Sequence, residues 1–224
     1  MGRPARTDRS SGGWFVLAAS LPVIVAIALA LGLPPLVAAL GSIGLGIVPL
    51  ACFAMAGSGR FGLANGVTLG RLELAGLAAL TPLAPSGSAA WLAAGLAGTA
   101  LALDGIDGWL ARRFHETSAF GARFDMETDT VLLAVVAGLA WMFGVTGAWI
   151  LAAPLLRPAF LLAGRRWPWL AATLPPSLRR KACCALPLLL LILALVPALP
   201  ASAAVTLAAL ALALLALSCA LDLG

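Results

Sequence analysis

Long stretches without a charged residue are the feature that most restricts the fold of this chain. Only 10% of the 224 residues are charged and 62% are hydrophobic, whereas a soluble domain has about a quarter charged residues. A helix of about 20 apolar residues crosses the hydrocarbon core of a bilayer, and apolar stretches of this kind recur along the chain. The sequence therefore predicts an all-α, polytopic transmembrane helical bundle.

Eight apolar segments are separated by turns rich in proline and glycine. They are residues 14–33, 36–56, 67–84, 89–111, 118–143, 147–164, 180–198 and 201–221. The segments predict about eight transmembrane helices. We expect a basic cytoplasmic N-terminus (1–13), a transmembrane hairpin (14–56) and a six-helix core (57–224).

The first segment has a second interpretation. Residues 1–9 contain three arginines, and the apolar run after them ends near residue 30, a pattern that secretory signal peptides share. The run is long for a signal peptide, and no polar cleavage region follows it. These two features favour an uncleaved helix.

The basic residues predict the orientation. All 14 Lys and Arg residues fall on one side of the membrane in the eight-helix arrangement, and the positive-inside rule makes that side cytoplasmic. They form short clusters between apolar segments, so the net charge of +5 does not indicate a nucleic-acid partner. Thirteen of the 14 are arginine, which suggests a GC-rich bacterial genome and a bacterial inner or plasma membrane.

Four aspartates lie within predicted transmembrane segments, where a charged side chain is costly. Asp104, Asp107, Asp125 and Asp129 are four of only nine acidic residues, at the end of the fourth segment and the start of the fifth. Carboxylates at such positions usually line a polar cavity, bind an ion or take part in chemistry. Their spacing puts each pair on one helix face, and the short 113–117 turn makes the two helices antiparallel neighbours. Hard divalent cations would neutralise the converging carboxylates.

The aspartates belong to a longer motif. Its first half is Asp104-x-x-Asp107-Gly108-x-x-Ala111-Arg112, and after eight residues its second half is Gly121-x3-Asp125-x3-Asp129. This pattern, D-x-x-D-G-x-x-A-R-x8-G-x3-D-x3-D, resembles the signature of the CDP-alcohol phosphatidyltransferases. The resemblance covers roughly residues 65–221 and implies a core of six transmembrane helices, with residues 1–56 outside it.

The resemblance implies a role for each residue of the motif. It implies metal ligands that bind the donor diphosphate, a wall that binds CDP, and a general base for the acceptor hydroxyl. The metal ligands are Asp104, Asp107, Asp125 and Asp129, the base is Asp129, and the CDP-binding residues are Gly108, Ala111, Arg112 and Gly121. The implied metal is Mg²⁺ or Mn²⁺, with two ions per site.

Further residues are candidates for substrate binding. Asn65-x-x-Thr68-x-x-Arg71 is similar to an element that lines the nucleotide site in the family, although a capped helix start with an interfacial arginine explains it equally well. The basic residues that we expect to bind an acidic acceptor are Arg157, Arg123, Arg179 and Arg180. Anchoring to anionic lipid head groups is the alternative for such clusters.

The resemblance implies transfer of a phosphoalcohol group from a CDP-alcohol, such as CDP-diacylglycerol, to an acceptor hydroxyl in phospholipid biosynthesis. It also implies a homodimer. An intramembrane prenyltransferase is an alternative, but its two Asp-rich motifs lie far apart, whereas both pairs here fall within 26 residues. A transporter is a non-enzymatic alternative and predicts internal repeats, which the sequence does not contain. No residue selects the acceptor.

Overall fold

The computed structural model describes residues 63–83, 87–114, 118–156, 158–159 and 178–221. These residues form six helical segments and no β-strand, which confirms the predicted all-α class for this part of the chain. The segments are α1 (Leu63–Leu80), α2 (Ala89–Arg113), α3 (Ala119–Met142), α4 (152–156), α5 (Leu178–Ala194) and α6 (Ala201–Leu221). Single 3-10 turns, Thr81–Leu83 and Ala148–Leu151, follow α1 and precede α4.

Two of the described helices have the length and apolarity of a membrane span. They are α2, over Ala89–Leu110, and α6, over Ala201–Ala220. Large apolar side chains on both helices are exposed, Trp91 and Leu210 among them, as expected of a surface that contacts lipid. The count of eight transmembrane helices stays a prediction, and the hairpin predicted for 14–56 lies outside the described residues.

The start of α1 differs from its predicted position. The apolar pattern predicts a segment over 67–84, whereas the helix runs from Leu63 to Leu80. The polar side chains of Asn65 and Thr68 are buried, each about 5% exposed or less, because they face polar groups of the bundle. A pattern of apolar residues alone does not detect a helical turn of this kind.

The helix α1 lies between the two helices that contain the aspartates. It packs along both α2 and α3, which contact each other over only a few residues. Fully buried alanines, including Ala75 and Ala78 on α1 and Ala97 on α2, permit close helix packing. The two aspartate pairs are therefore brought together mainly through α1, and not by direct packing of α2 on α3.

Candidate active site

The guanidinium group of Arg71 on α1 contacts all four motif aspartates. Its Nη1 donates to Asp107 Oδ2 at 2.8 Å and to Asp125 Oδ1 at 2.6 Å. Its Nη2 lies 2.9 Å from Asp104 Oδ1 and donates to Asp129 Oδ1. The structure thus gathers into one cluster the four carboxylates that the motif distributes over two helices.

Both aspartate pairs lie in the parts of α2 and α3 that are nearer to the connection between the two helices. Asp104 and Asp107 are in the C-terminal part of α2, and Asp125 and Asp129 are in the N-terminal half of α3. Ser118 begins α3 as its N-cap, since its Oγ accepts the Gly121 N–H at 2.9 Å, the usual contribution of serine at this position. The cap fixes the residue at which α3 begins.

Access to the four carboxylates is uneven. The side chain of Asp107 is only 5% exposed, whereas those of Asp104, Asp125 and Asp129 are 33%, 41% and 33% exposed. Arg71 is fully buried. The cluster is therefore closed on the Arg71 side and partly open on the other.

The carboxylates suit a hard divalent cation. Oxygens of Asp104, Asp107 and Asp125 lie within 4.8 Å of one another, and oxygen ligands at about 2 Å are what Mg²⁺ requires. Arg71 contacts one oxygen of each carboxylate, and a carboxylate has two. One guanidinium balances one of four negative charges, so the cluster also has the charge to attract a cation.

A polar stripe on α1 continues the site. The single hydroxyl proton of Thr68 has two acceptors within reach. Thr68 Oγ1 lies 3.0 Å from Asp107 Oδ2 and 3.1 Å from the Ala64 carbonyl oxygen. Asn65 Oδ1 lies against Gly121 of α3. The three residues of the N-x-x-T-x-x-R element therefore contact α2 and α3 directly. The nucleotide contacts that the resemblance implies for them stay a prediction.

The close approach of Asn65 explains why position 121 is a glycine. A Cβ at Gly121 would lie 2.8 Å from Asn65 Oδ1 and 3.1 Å from Ser118 Oγ. We expect Gly121→Ala to lower the stability of the purified protein by about 1–3 kcal/mol, because buried Asn65 must move. Gly138→Ala is the matched control on the same helix, since its Cβ would have no neighbour within 4 Å. Equal melting temperatures for the two variants would contradict this explanation.

Gly108 and Arg112 have a different environment. A Cβ at Gly108 would meet only the Arg112 guanidinium, at 3.5 Å, which is an ordinary contact. Packing among the described residues therefore does not require glycine at this position, which leaves open its predicted contact with CDP. Arg112 is exposed in the last turn of α2, whereas Arg71 is fully buried.

Other predicted site residues are not brought to the cluster by any described contact. Arg123 is exposed on α3. Arg157 and the side chains of Arg179, Arg180 and Ala111 lie outside what the structure describes. Their predicted roles stay predictions.

The position of Arg71 at the centre of the cluster is the feature that sequence reasoning missed. A signal was present, because four carboxylates in a membrane bundle require a counter-charge. Arg71 is a cation within the apolar segment that precedes them. Its spacing of three residues from Thr68 gave it the same helix face as the polar stripe.

The family model for CDP-alcohol phosphatidyltransferase matches residues 61–219 of the chain. The match spans more than two thirds of the 224 residues and includes the whole motif. The protein belongs to the CDP-alcohol phosphatidyltransferase family, which confirms the resemblance found in the sequence. This is a family of integral membrane transferases that use a CDP-alcohol donor and an alcohol acceptor. No solved structure matches the chain significantly.

Proposed function

We propose that the protein transfers the phosphoalcohol group of a CDP-alcohol to the hydroxyl of an acceptor alcohol and releases CMP. The observation that supports this reaction best is the convergence of four motif aspartates on one partly open cluster. A diphosphate and a cluster of carboxylates are both anionic, so a cation between them is the arrangement that lets them meet. The family membership supplies the class of donor and acceptor.

Asp104, Asp107 and Asp125 are the proposed ligands of Mg²⁺ or Mn²⁺, and Asp129 is a further ligand if two ions bind. When bound, the metal neutralises the donor diphosphate and stabilises the charge that develops on the CMP leaving group. The three oxygens within 4.8 Å support this assignment. Arg112, exposed one turn after Gly108, is a suitable bidentate partner for a donor phosphate.

Asp129 is the proposed general base. Its carboxylate is one-third exposed, on the open side of the cluster, where an acceptor hydroxyl can approach. The acceptor oxygen forms a bond to the β-phosphorus of the donor, and the bond from that phosphorus to the bridging oxygen breaks. CMP leaves with the bridging oxygen, and the acceptor proton passes to Asp129.

We propose a lipid donor, CDP-diacylglycerol. Apolar side chains are exposed within one helical turn of the aspartates: Ile106 (46%) and Trp109 (55%) on α2, and Met126 (47%) on α3. A donor with acyl chains has apolar tails next to its polar diphosphate, so it is compatible with a polar cluster on helices that expose apolar side chains.

The site is proposed to face the cytoplasm of a bacterial cell. Arg112 and Arg113 end α2, and Arg123 lies in the first two turns of α3, at the same end of the helices as the aspartates. Basic residues at this end support a cytoplasmic position through the positive-inside rule. A homodimer and an N-terminal hairpin over 14–56 complete the proposal.

A panel of substrates tests the donor and the acceptor. Purified protein is incubated with Mg²⁺ and either CDP-diacylglycerol or a water-soluble CDP-alcohol, together with glycerol phosphate, serine, inositol phosphate or phosphatidylglycerol. We expect CMP release that depends on one acceptor and is faster with CDP-diacylglycerol. Faster release with the soluble donor would contradict the lipid-donor proposal, and no release with any pair would contradict the transferase itself.

A further inference from the structure

Protein oxygens contact all three guanidinium nitrogens of Arg71, and each nitrogen carries N–H donors. Arginine has five such donors. Nε donates to the Ala100 carbonyl oxygen at 3.1 Å, and each terminal nitrogen contacts two aspartates. Four hydrogen bonds to protein oxygens and the ion pair with Asp104 thus occupy the group. The immediate ligands of Arg71 are thus the carboxylates themselves.

The contacts of Arg71 are distributed over both helices of the motif. Asp104 and Asp107 belong to α2, as does Ala100, one turn before Asp104. Asp125 and Asp129 belong to α3. Because α2 and α3 contact each other over only a few residues, the guanidinium is a principal link between the two halves of the motif.

The charges of the four carboxylates increase the importance of this link when no metal is bound. Four carboxylates within contact distance of one guanidinium repel one another, and weak screening near the buried Asp107 strengthens the repulsion there. A buried ion pair that loses one partner is strongly destabilised, because the remaining charge is left uncompensated. Removing Arg71 would leave the buried Asp107 in that state and the three partly exposed carboxylates without their counter-charge.

We propose that Arg71 is a built-in counter-cation that positions the four aspartates and holds the site together in the absence of a divalent cation. Since Arg71 contacts one oxygen of each carboxylate, the carboxylates keep a second oxygen for a metal. Arg71 and the metal then neutralise the same charges, so each compensates in part for loss of the other. This inference rests on the cation site proposed above but does not depend on the reaction.

The test measures thermal stability and not turnover. Arg71→Gln and Arg113→Gln remove the same charge, and Arg113 is exposed at the end of α2. In EDTA we expect Arg71→Gln to melt roughly 10 °C lower than Arg113→Gln, as for a broken buried ion pair in a chain of this length. Saturating Mg²⁺ is expected to raise the melting temperature of Arg71→Gln more than that of Arg113→Gln.

Two further variants keep the test decisive if Arg71→Gln folds poorly. Arg71→Lys retains the charge but not the forked geometry, so we expect it to melt between the wild type and Arg71→Gln. Arg71→Gln combined with Asp129→Asn removes one repelling carboxylate, and we expect it to be more stable than Arg71→Gln alone. A double variant no more stable than Arg71→Gln, together with Arg71→Lys no better than Arg71→Gln, would overturn the counter-cation role.

The two proposals fail in different ways. Equal melting temperatures of Arg71→Gln and Arg113→Gln in EDTA would overturn the role of Arg71, whatever the effect of metal. If neither Mg²⁺ nor Mn²⁺ stabilises the wild type or any variant, the proposed cation site fails. The comparison in EDTA would still decide the role of Arg71.

Discussion

Replacing Asp129 with asparagine is expected to slow acceptor-dependent CMP release by about 10²–10⁴-fold, the usual contribution of a general base. Asparagine has nearly the shape of aspartate, and its amide oxygen can still accept from Arg71. It cannot accept the proton of the acceptor hydroxyl. The fold should therefore persist while the reaction fails, as measured by initial rates of CMP release and by the melting temperature.

Glu127→Gln is the matched control for this variant. Glu127 lies on α3 two residues before Asp129, is exposed, and loses the same charge on substitution. We expect a rate within about twofold of the wild type, because surface substitutions away from a site have small effects. An Asp129→Asn enzyme that is as fast as Glu127→Gln would contradict the assignment of Asp129 as the base.

Removal of divalent cations is expected to reduce CMP release by roughly 10³-fold or more, since a metal contributes several kcal/mol to stabilising charge in such a displacement. Mg²⁺ or Mn²⁺ should restore the rate after EDTA treatment. Ca²⁺ should restore it poorly, because its longer bonds and higher coordination number do not suit a compact three-carboxylate site. Full activity in excess EDTA would show that the cluster has another purpose.

The Asp107→Asn variant tests whether the metal required for CMP release binds at the aspartate cluster. Asp107 is the least exposed of the four aspartates and also accepts from Thr68, so its position is the best defined. We expect this variant to need a much higher Mg²⁺ concentration for its half-maximal rate than Glu127→Gln does. Equal Mg²⁺ requirements would place the metal elsewhere.

Local patterns in the sequence were sufficient to predict that the four aspartates come together. Spacings of three and four residues put Asp104 with Asp107, and Asp125 with Asp129, on single helix faces, and the structure gathers all four. The helix bounds also follow largely from apolar runs and the turns between them: the segment predicted for 118–143 is the helix Ala119–Met142. These features depend on residues that are close together in the chain, so they can be predicted from a single sequence.

The missed features depend on contacts between residues distant in the chain. Arg71 contacts Asp129, which is 58 residues away in the chain, and no local pattern specifies that pairing. The contact of Asn65 with Gly121 is also long-range, so the sequence alone did not indicate that helix packing restricts position 121. The early start of α1 has the same origin, because its polar first turn is stabilised by other helices.

The fate of the donor's β-phosphorus tests the proposed transfer most directly. The best donor from the substrate panel is prepared with radioactive phosphorus at its β-position and incubated with the protein, Mg²⁺ and the matching acceptor. We expect the label to appear in the new phosphoalcohol product, with unlabelled CMP released in equal amount. Label retained in the donor's own phosphoalcohol, with the CMP group attached to the acceptor, would show attack at the other phosphorus and would contradict the proposed reaction.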